Sequence, residues 1–470
     1  MDDRRRQLLE SLLAIHKARD GLLDFAAYIC PNYDTTPHHI RALAAKLEEV
    51  EAGKIDRLMV AMPPQHGKSW LCSQIFPLWC MARQEGVRLA TASYAADRAE
   101  GNSKSARALA RDEAFLRLYP ALGCGANAKA MTDRADEWNA GKSSYKAVGV
   151  GGGLTGFPVD GMVMDDLLQD WAEAQSPTQR QKVWDWYCSV VMSRNPRWQI
   201  MVATRWHPDD PSGRMLKAEP DRWHVVNFRA LEGQGDDEKP LWDCPKFGLD
   251  NYRKIRAVIG RTQWAALYQQ EPTISGGNVF KVAGVRECMP EDFPQVRYVR
   301  AWDLASSVKQ RTGSDPDWTV GVLGAVTKEQ DHATGAMLPH LWIRDVVFIR
   351  AEAPQRNAKI KATADMDGNA VRVAVEAFGA YKDAAAELRL ALAGTRIVVE
   401  LRPPGDKAVK AAPLEPIFER GNVHVPKGAP WLAQWLTHFE EFPAGAHDDA
   451  VDATALVWHE QAAPKAGLAL

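Results

Sequence analysis

Residues 59–69, MVAMPPQHGKS, join a short apolar stretch to a turn and then to a helix-forming segment. At such a junction the backbone N–H groups of the turn and of the helix N-terminus can bind a phosphate. Lys68 would reach the β- and γ-phosphates of a nucleotide, and the hydroxyl of Ser69 would ligate Mg²⁺. The full phosphate-binding pattern has glycine where Met62 stands, so a helix-capping loop with an exposed lysine is the alternative. The predicted ATP-binding residues are Gln65, His66, Gly67, Lys68 and Ser69.

Two later strand ends carry residues that would complete a nucleotide site. The apolar stretch 159–166, VDGMVMDD, places Asp165 at its end, where a carboxylate would hold Mg²⁺ through water. Asp166 would then orient or activate the attacking water as a catalytic residue. Another apolar strand ends in Thr204 and Arg205, a hydroxyl and a cation that could sense the γ-phosphate and couple its release to motion. The alternatives are ordinary strand-end acids and a salt bridge for Arg205.

The second half of the chain carries carboxylates on separate apolar elements. Asp303 lies in the apolar strand AWDLA and Glu376 in VAVEAFG, while Asp448 and Asp449 begin the last helix, with Asp452 one turn later. A carboxylate on an apolar strand costs free energy unless it is paired or bound to metal. Phosphodiester hydrolysis by two metal ions needs several converging carboxylates. The sequence therefore predicts a metal-binding catalytic site, with helix capping by the two aspartates and an ion pair for Glu376 as alternatives. The predicted metal ligands are Asp303, Glu376, Asp448 and Asp449.

Other polar residues near these carboxylates have two interpretations each. His447 could move a proton, or be an ordinary loop histidine. Asp315 and Asp317 could be additional ligands, or form the turn between the first two strands of this region. Three basic residues could line a DNA path, with solvated surface charge as the default interpretation: Lys382, Arg402 and Lys407.

Two patterns of secondary structure would position these residues. Between residues 57 and 228, short apolar runs alternate with helical stretches, which predicts a mostly parallel α/β sheet. From residue 297, three strands are followed by strand–helix alternation, the order of the ribonuclease-H-like fold. The polar and glycine-rich stretch between the two patterns suggests a flexible junction. The predicted organisation is an N-terminal helical segment 1–50, an ATPase domain 51–272, a linker 273–294 and a nuclease domain 295–470.

The composition excludes several classes of protein. The formal net charge of -2 argues against a uniformly basic nucleic-acid-binding protein, although a local basic groove remains compatible with it. The 7 Cys are scattered and form no CxxC pair, so neither a disulfide framework nor a zinc site is expected. The charged N-terminus does not match a signal peptide, and no apolar run is long enough to span a membrane. We therefore expect a cytosolic protein without a membrane partner.

With both halves considered, the chain resembles the large terminase family of tailed bacteriophages. The resemblance rests on an ordered set of motifs that covers most of the chain: PPQHGKS (63–69), DGMVMDD (160–166), ATRWHPDD (203–210), LYQQEP (267–272), AWDLA (301–305), VEAFG (375–379) and HDDAVDA (447–453). It implies an α/β protein with an N-terminal P-loop ATPase domain of the ASCE type and a C-terminal RNase H-like nuclease domain. ATP with Mg²⁺ and two Mg²⁺ or Mn²⁺ ions in the nuclease site are the implied cofactors.

The resemblance also implies partners and residue roles. The family moves double-stranded viral DNA into a procapsid through the portal protein, with a small terminase subunit recognising the genome, and commonly works as a pentameric ring. Such a protein would act in the host cytoplasm, dock transiently on the procapsid portal and be absent from the mature virion. Carried over by motif, Thr204 falls on the coupling position, and Asp303, Glu376 and Asp449 fall on nuclease metal ligands. His38 and His39 resemble the segment near the adenine, with a helix-surface position as the alternative.

This sequence departs from the family pattern at two places. Many members have Glu where this chain has Asp166, and many carry Arg inside the P-loop where Gln65 and His66 stand. An arginine finger from a neighbouring subunit is therefore expected, and its candidates are Arg98, Arg107 and Arg134. Two other functions fit parts of the pattern. A repair-type helicase–nuclease would unwind free DNA without a portal, and an ATP-dependent adapter with a vestigial acidic cluster would not cleave DNA.

Overall fold

A computed structural model of the chain describes residues 3–122, 132–233, 235–273, 279–304, 318–377, 382–403, 405–443, 445 and 447–462. The chain divides into two compact units. The first unit comprises Met1–Tyr252 and Thr262–Ile274, and the second comprises Arg253–Arg261 and Ser275–Leu470. None of the helices in the described part of the chain is long and apolar enough to cross a membrane.

The first unit is an α/β sheet with helices around it. Its helices are α1 (Asp3–Asp20), α2 (Leu22–Ile29), α3 (His38–Glu51), α4 (Phe76–Arg83), α5 (Ala96–Ala110), α6 (Glu113–Leu118), α7 (Trp171–Gln175), α8 (Pro177–Trp186) and α9 (Pro211–Ala218), and α10 (Leu249–Gln263) carries residues of both units. Its strands are β1 (Arg57–Ala61), β2 (Arg88–Ser93), β3 (Glu137–Ala140), β4 (Ser143–Gly149), β5 (Gly161–Asp165), β6 (Trp198–Ala203), β7 (His224–Asn227), β8 (Leu231–Glu232) and β9 (Lys239–Pro240).

The main sheet of this unit has the strand order β3-β4-β2-β5-β6-β1-β7, and only the β3–β4 pair is antiparallel. Both faces of the sheet are buried, which is typical of parallel sheets. In β1, Leu58 and Val60 face one hydrophobic core, while Met59 faces the other. The central strands β5, β6 and β1 are neighbours, so the loops that follow them meet at one edge of the sheet.

The second unit is built around another seven-stranded sheet. Its strands are β10 (Arg286–Cys288), β11 (Val299–Asp303), β12 (Thr319–Gln330), β13 (Met337–Ile349), β14 (Arg372–Glu376), β15 (Val398–Leu401) and β16 (Val423–Pro426). Its remaining helices are α11 (Ala353–Asp367), α12 (Lys382–Ala391), α13 (Lys407–Ala411), α14 (Glu415–Glu419), α15 (Leu432–Glu441) and α16 (Asp449–Gln461).

The strand order in this sheet is β10-β16-β13-β12-β11-β14-β15. The first three predicted strands form the antiparallel set β11–β12–β13, and β14 and β15 extend it in parallel. Helix α16 packs across β11 and β12, and its apolar residues join the core of this unit. Phe280 and β10 also belong to this unit, so the described part of the predicted linker is packed within it. The strands β3, β4, β10 and β16 were not predicted from the sequence.

Candidate nucleotide and metal sites

The predicted phosphate-binding loop follows β1 and leads into the π-helical turn Trp70–Ile75. Gln65 and Gly67 both have positive φ angles, of 64° and 87°. A Cβ atom at Gly67 would lie 1.9 Å from the hydroxyl of Tyr33, so a side chain there would be both strained and blocked. Met62 is fully buried beneath the loop. The loop therefore depends on glycine at 67, whereas position 62 contributes to the core.

Lys68, Thr204 and Asp166 form one connected group at the ends of neighbouring strands. The Lys68 ammonium donates to Thr204 Oγ1 at 2.9 Å and lies 3.5 Å from Asp166 Oδ2. The Thr204 N–H donates to Asp166 Oδ1 at 3.1 Å. Asp166 has φ of 48°, and strained backbone of this kind is concentrated at functional sites. The structure thus brings together three residues that the sequence predicted separately.

The Asp165 carboxylate is buried and held by three donors. Ser69 Oγ donates to Oδ1 at 2.9 Å, while Ser73 Oγ and Asn102 Nδ2 donate to Oδ2 at 2.8 and 3.1 Å. Burial raises the pKa of Asp165 to about 6, and the charge of Asp166 raises it further against these hydrogen bonds. A cation beside this carboxylate would favour its charged form. The link from Ser69 to Asp165 is the arrangement in which a loop hydroxyl and a strand-end acid share Mg²⁺.

His66 is fully buried and faces away from solvent. Its Nδ1 lies 2.7 Å from the Pro64 carbonyl oxygen, which can only accept, so Nδ1 carries the proton. Its Nε2 then accepts from the Tyr252 hydroxyl at 2.8 Å. His39 Nε2 donates to the His66 carbonyl at 3.1 Å. Burial lowers the pKa of His66 to about 4, so this histidine supplies no positive charge at neutral pH and instead fixes the loop.

Arg205 is held by a salt bridge, which was one of its two predicted interpretations. Its Nε lies 2.9 Å from Asp210 Oδ2, a buried carboxylate that also caps α9. Its backbone N–H donates to Gln270 Oε1 at 2.9 Å, and Gln270 has φ of 58°. The segment after Thr204 is therefore firmly anchored, while a coupling role for Thr204 and Arg205 stays a prediction.

Two of the three arginine-finger candidates have acidic partners within this chain. Arg107 donates to Asp133 at 3.0 Å, and Arg134 donates to Glu137 at 3.1 Å. The assignment of the finger among Arg98, Arg107 and Arg134 stays a prediction.

In the second unit, β11 and β14 pair in parallel up to the residues immediately before Asp303 and Glu376. The two carboxylates therefore leave adjacent strands at the same edge. Asp449 and Asp452 lie in the first turn of α16, and both are buried. Burial raises the pKa of Asp303 well above its usual range, and the negative charges of Asp452, Asp449 and Glu376 raise it further. The predicted carboxylates thus form one acidic cluster, which also includes Asp452.

Two lysines of α13 lie within the acidic cluster. Lys407 Nζ is 2.6 Å from Asp448 Oδ1 and 3.6 Å from Asp452 Oδ2, and Lys410 Nζ is 2.5 Å from Glu376 Oε1. Although burial disfavours its charge, the hydrogen bond with Asp448 raises the pKa of Lys407. Both interpretations of Lys407 as a residue of a DNA path or a solvated surface charge were therefore wrong, because its ammonium neutralises the cluster. Glu376 has the ion pair that was its alternative, with a lysine as the partner.

The chemistry of the cluster suits a hard divalent cation. All its donors are carboxylate oxygens, the kind that Mg²⁺ and Mn²⁺ prefer. Asp452 Oδ1 is buried and has no hydrogen-bond partner among the described residues, so this oxygen is available to bind a cation. Burial raises the pKa of Asp452 to about 7, although the charge of Lys407 opposes the rise. Within the described ranges no three His, Cys, Asp or Glu side chains form a preformed metal site. A metal ion would therefore have to take over from the lysines part of the charge balance.

The remaining predicted candidates have mixed outcomes. His447 Nδ1 lies 3.7 Å from Asp449 Oδ2, so it is placed beside the cluster. Arg402 is exposed just after β15, and His38 is exposed at the start of α3, while His39 is buried against the phosphate-binding loop. Three candidates lie outside the described residues or side chains: Asp315, Asp317 and Lys382.

Sequence reasoning missed several residues that hold the two sites together. They are Ser73, Asn102, Tyr252, Gln270 and Lys410. Ser73 follows Ser69 by four residues, and this spacing on a helical segment places both hydroxyls on one face. The other four come from distant segments and carry no local signal.

Comparisons with known proteins agree with the two sheets. Residues 300–460 match the terminase RNase H-like domain family. A large terminase from a thermophilic bacteriophage, solved without nucleotide in its description, is 10% identical and has a TM-score of 0.51, with 88% of this chain and 98% of that chain covered. The large terminase of bacteriophage HK97 is 14% identical, with a TM-score of 0.36 and coverage of 89% and 93%.

The large terminase nuclease of thermophilic phage G20c with bound magnesium is 19% identical, with a TM-score of 0.27 and coverage of 40% and 100%. The inference about fold rests on the family match and on the two-domain thermophilic-phage terminase with the TM-score of 0.51. A comparison with curated proteins by sequence gives no match.

Proposed function

Because residues 300–460 belong to the terminase RNase H-like family and the chain has the two-domain α/β fold of a phage terminase large subunit, we propose that it is an ATP-driven DNA-packaging motor and a metal-dependent endonuclease. The motor would move double-stranded viral DNA into a procapsid. The nuclease would cut the concatemeric genome when packaging begins and ends. The observation that carries the proposal is the presence, in one chain, of the group Lys68–Thr204–Asp166 and of the acidic cluster around Asp303.

The first site is suited to ATP hydrolysis. Lys68 is held at the strand edge by Thr204, in position to move from this hydroxyl to a phosphate oxygen. Ser69 and Asp165 would hold Mg²⁺, which supplies charge neutralisation on the β- and γ-phosphates. Asp166, whose carboxylate lies beside Lys68, would orient the attacking water. When Lys68 changes partner from Thr204 to phosphate, the strand after Thr204 loses one restraint, and this change is the proposed start of coupling.

The second site is suited to phosphodiester hydrolysis. The residues that would hold metal ions are Asp303, Glu376, Asp448, Asp449 and Asp452. Bound Mg²⁺ or Mn²⁺ supplies Lewis acidity and lowers the pKa of water. His447, beside Asp449, is placed to exchange a proton with solvent. Lys407 and Lys410 keep the cluster neutral until a metal ion binds.

We further propose the assembly that such a motor requires. A ring of this chain, pentameric in the proposal, would dock on the portal protein in the host cytoplasm and receive the genome from a small terminase subunit. An arginine from a neighbouring chain would complete the ATP site, because His66 supplies no positive charge there.

The test measures ATPase activity and plasmid cleavage for the same purified variants. Lys68→Ala should abolish ATP hydrolysis and leave Mn²⁺-dependent cleavage intact, whereas Asp303→Ala should do the reverse. Lys104→Ala and Asp365→Ala are matched controls, since both side chains are exposed on helices of the two units. Loss of both activities in either variant, or no cleavage by the wild type in Mn²⁺, would contradict the proposal.

A further inference from the structure

An exposed arginine is held beside the acidic cluster by an aromatic ring. Strands β12 and β13 are antiparallel, with Thr319 opposite Ile349. The residues just beyond this pair are Trp318 and Arg350, and the guanidinium carbon of Arg350 lies 3.8 Å from the centre of the Trp318 ring. Trp318 is itself oriented by an edge contact with Phe348, with ring centres 5.7 Å apart.

The same tryptophan is attached to the cluster. The Trp318 backbone N–H donates to Asp449 Oδ2 at 3.3 Å. This bond fixes the ring, and the guanidinium on it, at the rim of the proposed nuclease site. Arg350 is exposed, so its planar cation is accessible to a large ligand.

Electrostatics gives this cation a function. Carboxylates repel the phosphates of an approaching DNA strand, even when lysines or metal ions balance part of their charge. A guanidinium stays charged at all working pH values and binds a phosphate through two parallel N–H donors. Stacking on an indole ring restricts the side chain before the ligand arrives, which lowers the entropy cost of binding.

We propose that Arg350, positioned by Trp318, binds the DNA backbone phosphate next to the bond that the acidic cluster cleaves. The inference rests on the proposed nuclease function, which it deepens by naming a residue that binds the substrate. Arg350 holds the strand in place and leaves the chemical step to the carboxylates. Its loss should therefore weaken substrate binding and spare the rate at saturating DNA.

A matched control lies on the same strand. Arg344 is exposed on β13, and its guanidinium carbon lies 4.9 Å from the centre of the Tyr298 ring. It therefore has the same type of cation–π contact as Arg350. It stands six residues away along an extended strand, about 20 Å from Arg350. Arg344→Ala removes an equivalent charge and stacking contact without touching the rim of the cluster.

The experiment measures Mn²⁺-dependent cleavage of a short DNA duplex by the full chain at several salt concentrations. Arg350→Ala should raise KM about tenfold with kcat within twofold of wild type, because one charge-assisted contact is lost. The slope of log KM against log salt should decrease by about 0.9, the value for one phosphate contact on duplex DNA. Arg350→Lys should retain the salt slope and give an intermediate KM, and Arg344→Ala should match wild type.

Each outcome decides the inference. An unchanged KM in Arg350→Ala, a raised KM with an unchanged salt slope, or an equal effect of Arg344→Ala would overturn it while the nuclease assignment stands. Absence of cleavage by the wild type would overturn the nuclease assignment and this inference together. Thermal unfolding of the variants separates a binding effect from misfolding, and Arg350→Lys provides the second, conservative variant if Arg350→Ala is unstable.

Discussion

Tyr252→Phe tests how the phosphate-binding loop is held in place. The substitution removes only the hydroxyl that donates to His66 Nε2 at 2.8 Å, and the ring keeps its stacking contacts. His66 is fully buried, so its nitrogen would be left without a partner. An unsatisfied buried group of this kind costs about 1–3 kcal/mol. Part of this cost should appear as weaker ATP binding, because the loop carries Lys68.

The assay combines denaturant unfolding with ATPase kinetics. We expect Tyr252→Phe to lower the free energy of unfolding of the first unit by about 1–3 kcal/mol and to raise KM for ATP roughly 3- to 10-fold. DNA cleavage should be unaffected. Tyr268→Phe is the control, because this ring packs in the same aromatic cluster and no hydrogen-bond partner of its hydroxyl occurs among the described residues. Equal behaviour of the two variants would refute the proposed role of the Tyr252–His66 hydrogen bond.

Three further perturbations address the two sites. Asn102→Ala removes one donor to buried Asp165, and we expect at least tenfold lower ATPase activity with Mg²⁺ half-saturation shifted upward; an unchanged metal dependence would argue against this support. Lys407→Ala removes the ammonium beside Asp448, so the Mn²⁺ concentration for half-maximal cleavage should fall several-fold, whereas Arg402→Ala should leave it unchanged. The pKa of His66 is about 4 when folded and near 6.5 when unfolded, so the unfolded chain binds the proton first as pH falls. The stability contributed by neutral His66 is complete above pH 6.5 and decreases by up to roughly 3 kcal/mol towards pH 4. His66→Gln should reduce this pH dependence, and an unchanged dependence would contradict the assignment.

The order of elements was predictable where hydrophobic patterning was strong. Asp165 ends β5 as predicted, and Thr204 directly follows β6, because each lies at the end of a continuous buried apolar run. Asp303 and Glu376 were recognisable for a similar reason, since a carboxylate that ends a buried strand is unusual.

The partners of these residues were not predictable by the same reasoning. Asn102 and Tyr252 reach their partners from other helices, and their positions depend on tertiary packing that no local pattern encodes. Lys407 and Lys410 lie on a helix of five residues, too short to show a periodic pattern. Their ion pairs with Asp448 and Glu376 follow from the packing of α13 against α16.

The most direct test of the central claim is packaging of precut linear DNA into procapsids that carry a portal, measured as DNA protected from added nuclease. Precut DNA removes the need for cleavage, so the two proposed activities are separated in one assay. The account predicts that Asp303→Ala packages this DNA at the wild-type rate and that Lys68→Ala packages none. Packaging by Lys68→Ala, or its loss in a folded Asp303→Ala protein, would contradict the assignment of the motor to the first unit and of the nuclease to the second.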